Sequence, residues 1–285
     1  MPASSLNIFK KALEEAEVIT TKGLHFDQFG KSIRNYFFSV NTARDTLVFL
    51  HATGNDCLFP QLPLYLKVLA AGFNIFCFDL DGHGHESESE LNRETIWTTV
   101  DRAANYLKDT YGIDRFHLAG QSLGGVLCLD YAAREPKKIS SLSLISTPLK
   151  IDVSLQAYIS EAGSVLKPAF YKHILNYGLI ESLPAFGGFK REKFPVRING
   201  ASNQDYISYV TNLIGTSNIE AAVNQVSCPT LICCGTNDFI STTKDAEKLF
   251  REIENSAMVE VPENHFTTLF SDTVETAILD HLCGI

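Results

Sequence analysis

The stretch LAGQSLGGV, residues 118–126, places Ser122 between Gly120 and Gly124 in the pattern Gly-x-Ser-x-Gly. A serine hydroxyl is a weak nucleophile until a base takes its proton and a tight turn presents its Oγ. Glycines two residues to either side let neighbouring backbone approach where a Cβ would clash, and Gly125 adds to that freedom. The chemistry this suggests is covalent, with Ser122 attacking a carbonyl carbon. Such a serine needs a histidine and a carboxylate from elsewhere in the chain.

The elements around Ser122 must hold it on that turn. RFHLAGQ, 115–121, reads as a strand, and LGGVLCLDYAAREP, 123–136, as a helix that stops before Pro136. The serine therefore falls at a strand-to-helix junction, the context its pattern requires. The apolar run at 45–51 reads as a strand buried on both faces, and further runs at 74–80, 141–147, 230–236 and 257–262 read as strands. Two more strands are expected near 22–27 and 33–40. Helices are expected at 4–18, from 62 to a stop at Gly72, and at 94–112, 242–253 and 266–282. Strands alternating with helices predict a mostly parallel sheet covered on both faces.

Residues 149–227 break that rhythm. They contain no good strand and are rich in aromatics, among them Tyr158, Phe170, Tyr177, Phe186 and Tyr209. We read 1–148 and 228–285 as the core and 149–227 as a helical cap inserted between two sheet strands. An insertion at the carboxyl edge of a sheet is placed to cover a ligand site.

Composition narrows the function. The chain has 285 residues, 45% of them hydrophobic and 20% charged, enough for one large core. A formal charge of −9 disfavours nucleic acid and anionic membrane surfaces as partners. The seven cysteines sit mostly in apolar runs and read as buried thiols of a reducing compartment. The first residues lack the apolar core of a signal peptide and no run is long enough to span a membrane, so a cytoplasmic location is expected. No dinucleotide fingerprint, P-loop or Cys/His metal spacing occurs, and neither a cofactor nor a metal is expected.

With the Ser122 turn in its strand–turn–helix context, the chain resembles the α/β-hydrolase superfamily over roughly residues 20–283. The resemblance implies an α/β fold with a mostly parallel eight-stranded sheet flanked by helices, and a helical cap after the sixth strand. It also implies nucleophile, acid and histidine in that chain order. Asp238, in GTNDFIS after the strand TLICC, matches the family's acid, and His265, in PENHFTTLF after AMVEV, matches its histidine. Asp152 is the alternative acid; His51, His83 and His117 are the alternative histidines, of which His51 reads as a loop brace and His117, inside a strand, as structural, and His281 reads as solvated. The family's oxyanion hole would use two backbone N–H groups, here those of Leu123 and Thr53. The loop HATGND, 51–56, has His-Ala where the family usually has His-Gly. FDLDGHGHES, 78–87, matches the family's Asp-x-x-Gly-His-Gly segment with one additional residue before Ser87, and its Asp79 and His83 read as loop braces.

The expected partner is a small-molecule ester whose acyl or alcohol group is small or medium and largely apolar. A thioesterase, an acyltransferase, a C–C hydrolase and a cofactor-free haloperoxidase would use the same triad, and a ligand-binding protein could retain the fold. Lys190, Arg191, Lys193 and Arg197 could meet an anionic substrate, although a solvated cluster explains them as well.

Overall fold

A computed structural model describes residues 17–19, 24–25, 32–33, 35–39, 43–58, 60–81, 83, 93–151, 210–215, 217 and 219–285. Ten strands lie among them: β1 Glu17–Ile19, β2 Leu24–His25, β3 Ser32–Ile33, β4 Asn35–Ser39, β5 Thr46–Leu50, β6 Asn74–Phe78, β7 Phe116–Gln121, β8 Ile139–Ile145, β9 Thr230–Gly235 and β10 Ser256–Val261. Eight form one sheet in the order β1-β4-β6-β5-β7-β8-β9-β10, while β2 and β3 pair separately. From β6 to β10 every neighbouring pair is parallel; β4 joins β6, and β1 joins β4, in antiparallel fashion.

Helices among the described residues include α1 Leu62–Ala70, α2 Arg93–Ile96, α3 Thr99–Tyr111, α4 Leu123–Arg134, α5 Ile219–Val223, α6 Thr243–Glu252 and α7 Asp272–Cys283. Alternate side chains of one strand serve opposite faces. Val48 and Leu50 of β5 join Leu107 of α3, Leu127 of α4 and Leu249 of α6 in one apolar layer. Leu47 and Phe49 join Tyr65 of α1 and Ile278 of α7 in the other. Both faces of β5 and β6 are buried throughout, which is why these strands read as unbroken apolar runs.

Four expected elements differ. The strand expected near 22–27 is described only at Leu24–His25, which pairs with Ser32–Ile33 outside the eight-stranded sheet, and β1 takes the edge position instead. The helix expected over 4–18 reaches into β1, where Glu17, Val18 and Ile19 pair with Ser39, Phe38 and Phe37; residues 4–16 lie outside the described residues. Edge pairing with β4 overrides the helical spacing there. The helix expected over 94–112 is two, broken at Trp97 and Thr98. Thr98 Oγ1 donates to Thr95 O at 2.9 Å and Thr95 Oγ1 donates to Asp81 Oδ2 at 2.5 Å, so side chains compete with the helical ladder. The last helix is preceded by a 3₁₀ turn, Thr268–Phe270, and separated from it by Ser271 in an extended conformation.

The break between β8 and β9 follows the sixth strand of the sheet in chain order. Most of the expected cap, residues 152–209 with 216 and 218, lies outside the described residues, as do Asp152 and the Lys190–Arg197 cluster. The described end of that segment is helical. It buries Val210, Leu213, Ile214, Ile219 and Val223 in the same apolar layer as α4.

Six cysteines are buried free thiols and Cys283 is exposed. Among the described residues, no helix is long and apolar enough to cross a membrane. His281 departs from expectation: it is half-buried, and its Nε2 is enclosed with no hydrogen-bond partner among the described residues.

His117 lies inside β7, 2% exposed, with Nδ1 2.7 Å from Ser141 Oγ and its ring edge-on to Phe73. Burial pushes its pKa down to about 4, below the ordinary histidine value near 6.5. Between these values the unfolded chain binds a proton that the native chain refuses, so native stability falls as pH drops from about 6.5 toward 4. His117→Gln should therefore flatten the pH dependence, by on the order of 2 kcal/mol between pH 7 and 5. Urea midpoints at the two pH values check this, and parallel losses in the two proteins would contradict it.

Candidate active site

β7 ends at Gln121 and α4 begins at Leu123, so Ser122 alone makes the turn. Its φ of 52° and ψ of −117° are strained for a residue with a side chain. The strain is held by close packing. A Cβ on Gly120 would strike the backbone of Gly124, and one on Gly124 would strike the carbonyls of Leu50 and His51. A Cβ on Gly125 would strike Thr147 Oγ1. Only glycine permits α4 to come this near to β7 and to the end of β5. The Ser122 N–H donates to Ile145 O at 2.9 Å, fixing the turn to the neighbouring strand.

Asp238 and His265 come from the loops after β9 and β10. These loops are bound together: Thr236 N–H donates to Val261 O at 2.8 Å and Asn237 N–H donates to Glu263 O at 3.0 Å. The Asp238 side chain is fully buried and His265 is 6% exposed. Asp238 Oδ1 accepts the N–H groups of Ile240 at 2.9 Å and Ser241 at 2.7 Å, leaving Oδ2 to face His265. His265 Nδ1 donates to Asp238 Oδ2 at 2.9 Å, and Ser122 Oγ donates to His265 Nε2 at 2.9 Å. A carboxylate can only accept, so the proton of neutral His265 is held on Nδ1 and Nε2 is free to take the serine proton. The three residues expected from the sequence are thus brought together in one hydrogen-bonded line.

The loop after β5 lies against the start of α4. Asn55 N–H donates to Ala52 O at 3.1 Å, closing a turn with Thr53 and Gly54 at its centre. Gly54 has a φ of 75°, which a turn of this kind requires of its third residue. Alanine in place of glycine at 52 leaves that turn intact. Neither the Thr53 nor the Leu123 N–H donates to another described backbone group. Leu123 is the first residue of its helix, where the N–H has no intrahelical partner.

His51 ties this loop to the one after β6, and His83 packs against it. His51 is buried: its Nε2 accepts the Leu80 N–H at 2.9 Å and its Nδ1 donates to Ala52 O at 2.8 Å. His83 Nδ1 donates to Asp81 O at 2.9 Å, and its ring meets that of His51 edge-on at 5.2 Å. Burial and the neighbouring His51 push the pKa of His83 down to about 4. Asp79 Oδ1 accepts the Cys57 N–H at 2.8 Å.

Sequence reasoning missed two supports. Asn264 shapes the loop that carries His265: its Oδ1 accepts the Thr267 N–H at 3.1 Å, and its carbonyl accepts Thr268 Oγ1 at 2.7 Å. An asparagine before a short turn was the available signal. Gly235, at the end of β9, leaves no room for a Cβ beside the Glu263 carbonyl. Among the described residues no cluster of His, Cys, Asp and Glu could hold a metal ion.

The comparisons agree with this architecture. The model of the α/β hydrolase fold family matches residues 45–272. A monoacylglycerol lipase abhd6-A of Xenopus laevis is 26% identical over 215 residues, covering 70% of this chain and 63% of that protein. The chain thus spans less than two thirds of the length of that relative. A 2-hydroxy-6-oxononadienedioate/2-hydroxy-6-oxononatrienedioate hydrolase of Klebsiella pneumoniae is 24% identical over 243 residues, covering 79% of this chain and 81% of that one. Among solved structures, an enol-lactonase of Burkholderia xenovorans LB400 superposes with a TM-score of 0.62 at 21% identity, covering 90% of this chain and 98% of the other. A match over this much of the sequence, on a sheet and a strand–turn–helix of this form, makes the chain a member of the α/β-hydrolase family.

Proposed function

We propose that this protein is a serine hydrolase that cleaves a carboxylic ester through an acyl-enzyme, with Ser122 as nucleophile, His265 as general base and Asp238 as its orienting acid. The observation that carries the reading is the unbroken line from Asp238 Oδ2 through both ring nitrogens of His265 to Ser122 Oγ. In the forward step Ser122 Oγ bonds to the ester carbonyl carbon while its proton passes to Nε2. The carbonyl electrons move onto oxygen, which the N–H groups of Leu123 and Thr53 receive. Collapse of this adduct expels the alcohol, which takes the proton from Nε2. Water then adds to the acyl carbon while its proton passes to Nε2, and collapse breaks the Ser122 Oγ–acyl bond, releases the acid and returns the proton to Oγ.

An apolar substrate suits the rim. Phe239 and Phe266 follow Asp238 and His265 directly in the chain and are 39% and 42% exposed, offering apolar surface beside the reacting groups. Residues 149–227 would cover this edge as a helical cap.

A second reading has support from the relatives. The chain covers more of the dienedioate hydrolase than of the monoacylglycerol lipase, and the same serine could attack a ketone, break the adjacent carbon–carbon bond and release the dienol fragment protonated at that carbon by the Nε2 proton. A substrate panel separates the two. We expect p-nitrophenyl esters to turn over with kcat/KM peaking at a short or medium acyl chain. Turnover of a 2-hydroxy-6-oxo-dienoate at least a hundred times more efficient than any ester would favour carbon–carbon cleavage instead.

A further inference from the structure

Gln121 is the last residue of β7 and precedes Ser122 directly. It is 1% exposed. Its Nε2 donates to the backbone carbonyl of His265 at 3.2 Å, a buried contact between the two loops that supply nucleophile and base. The Oε1 of the same amide is buried with no hydrogen-bond partner among the described residues. A buried amide satisfied on one side only is worse for stability than an apolar side chain of similar size. Its presence calls for a reason other than stability.

The geometry supplies one. Ser122 and His265 are 143 residues apart in sequence, yet Oγ and Nε2 must meet at hydrogen-bond distance. Ser122 is fixed by glycine packing on its own turn. His265 rides on a short loop. Thr268 Oγ1 holds the peptide before it, through Asn264 O, and Gln121 holds the peptide after it, through His265 O. Because Gln121 is bonded covalently to Ser122, its amide references the histidine loop to the nucleophile itself. A small misplacement between reacting groups is costly in rate.

Resting on the serine-hydrolase reading above, we propose that Gln121 is a positioning residue that sets the His265 imidazole against Ser122 Oγ through the backbone carbonyl of His265. It touches no substrate. Its work depends on an N–H donor, so a side chain of the same length that loses its proton should fail when it does.

The test uses the full chain and two variants. Gln121→Leu removes the donor and the unsatisfied acceptor together. We expect its kcat on a p-nitrophenyl ester to fall about tenfold. KM should stay within about twofold, and covalent labelling of Ser122 by a fluorophosphonate should slow in step with kcat, while the thermal midpoint holds or rises. In Gln121→Glu the protonated carboxyl can still donate to His265 O, whereas the carboxylate can only accept. That variant should show a falling alkaline limb in kcat that neither the native protein nor Gln121→Leu shows, with its melting temperature tracked at each pH. Native kcat in Gln121→Leu, or a loss that only follows a lowered melting temperature, would overturn the inference. So would a Gln121→Glu profile parallel to the native one. If the native protein itself is not labelled at Ser122, the reading of the whole site fails, a result distinct from equal labelling of native and Gln121→Leu.

Discussion

Ser122→Ala should lower kcat/KM for the best p-nitrophenyl ester by about 10⁴-fold or more, while leaving the urea midpoint close to native. The removed Oγ is the only atom in the proposed site that forms a bond to carbon. What would survive its loss is the residual effect of the proposed oxyanion donors, the N–H groups of Leu123 and Thr53, and of binding, which cannot replace a covalent route. Stability should hold because the turn is fixed by the backbone: the Ser122 N–H still donates to Ile145 O, and Gly120 and Gly124 still allow the close packing. Steady-state kinetics beside a urea titration check both halves. A variant retaining a tenth of native activity would remove Ser122 from the mechanism.

Asp238→Asn should cost roughly 10³ to 10⁴ in kcat, with little change in KM. Its expected effect follows from which oxygen does what. Oδ1 accepts two backbone N–H groups, from Ile240 and Ser241, and only an oxygen can continue to do so. The asparagine NH₂ must then take the place of Oδ2 and point at His265 Nδ1. Two donors cannot share that contact, so the imidazole moves its proton to Nε2, the nitrogen that must accept from Ser122 Oγ. Geometry survives while the base is lost. Stopped-flow or steady-state measurement of kcat against pH tests this, and a loss smaller than tenfold would show that the tautomer is set by something other than Asp238.

Much of this site was legible because its parts obey local rules. A serine between glycines at the end of an apolar run announces both the turn and the strand that leads to it. The strand ends before Asp238 and His265 are legible for the same reason: each loop follows a run of strand-forming residues, buried throughout in β9 and, in the edge strand β10, only at Val261. The break after β8 was visible as a lapse in strand–helix alternation. What resisted reading depends on contacts between distant segments. Nothing in LAGQSLG tells that the Gln121 amide ends on the carbonyl of His265, because that contact exists only once β7 and the loop after β10 have come together. The same holds for β1, whose helical spacing is overridden by pairing with β4, and for the split between α2 and α3, where Asp81 reaches Thr95 from another loop. His51 was legible as a brace, but its tautomer became defined only by the Leu80 N–H on one side and the Ala52 carbonyl on the other.

Activation of Ser122 as a nucleophile is tested most directly by covalent labelling. Native protein and Ser122→Ala, each shown to be folded by circular dichroism, would be treated with a fluorophosphonate and digested, and the adduct located by mass spectrometry. One modified peptide containing Ser122 is expected in the native protein and none in the variant. Absence of an adduct on folded native protein, or equal labelling of the two proteins at another residue, would contradict it.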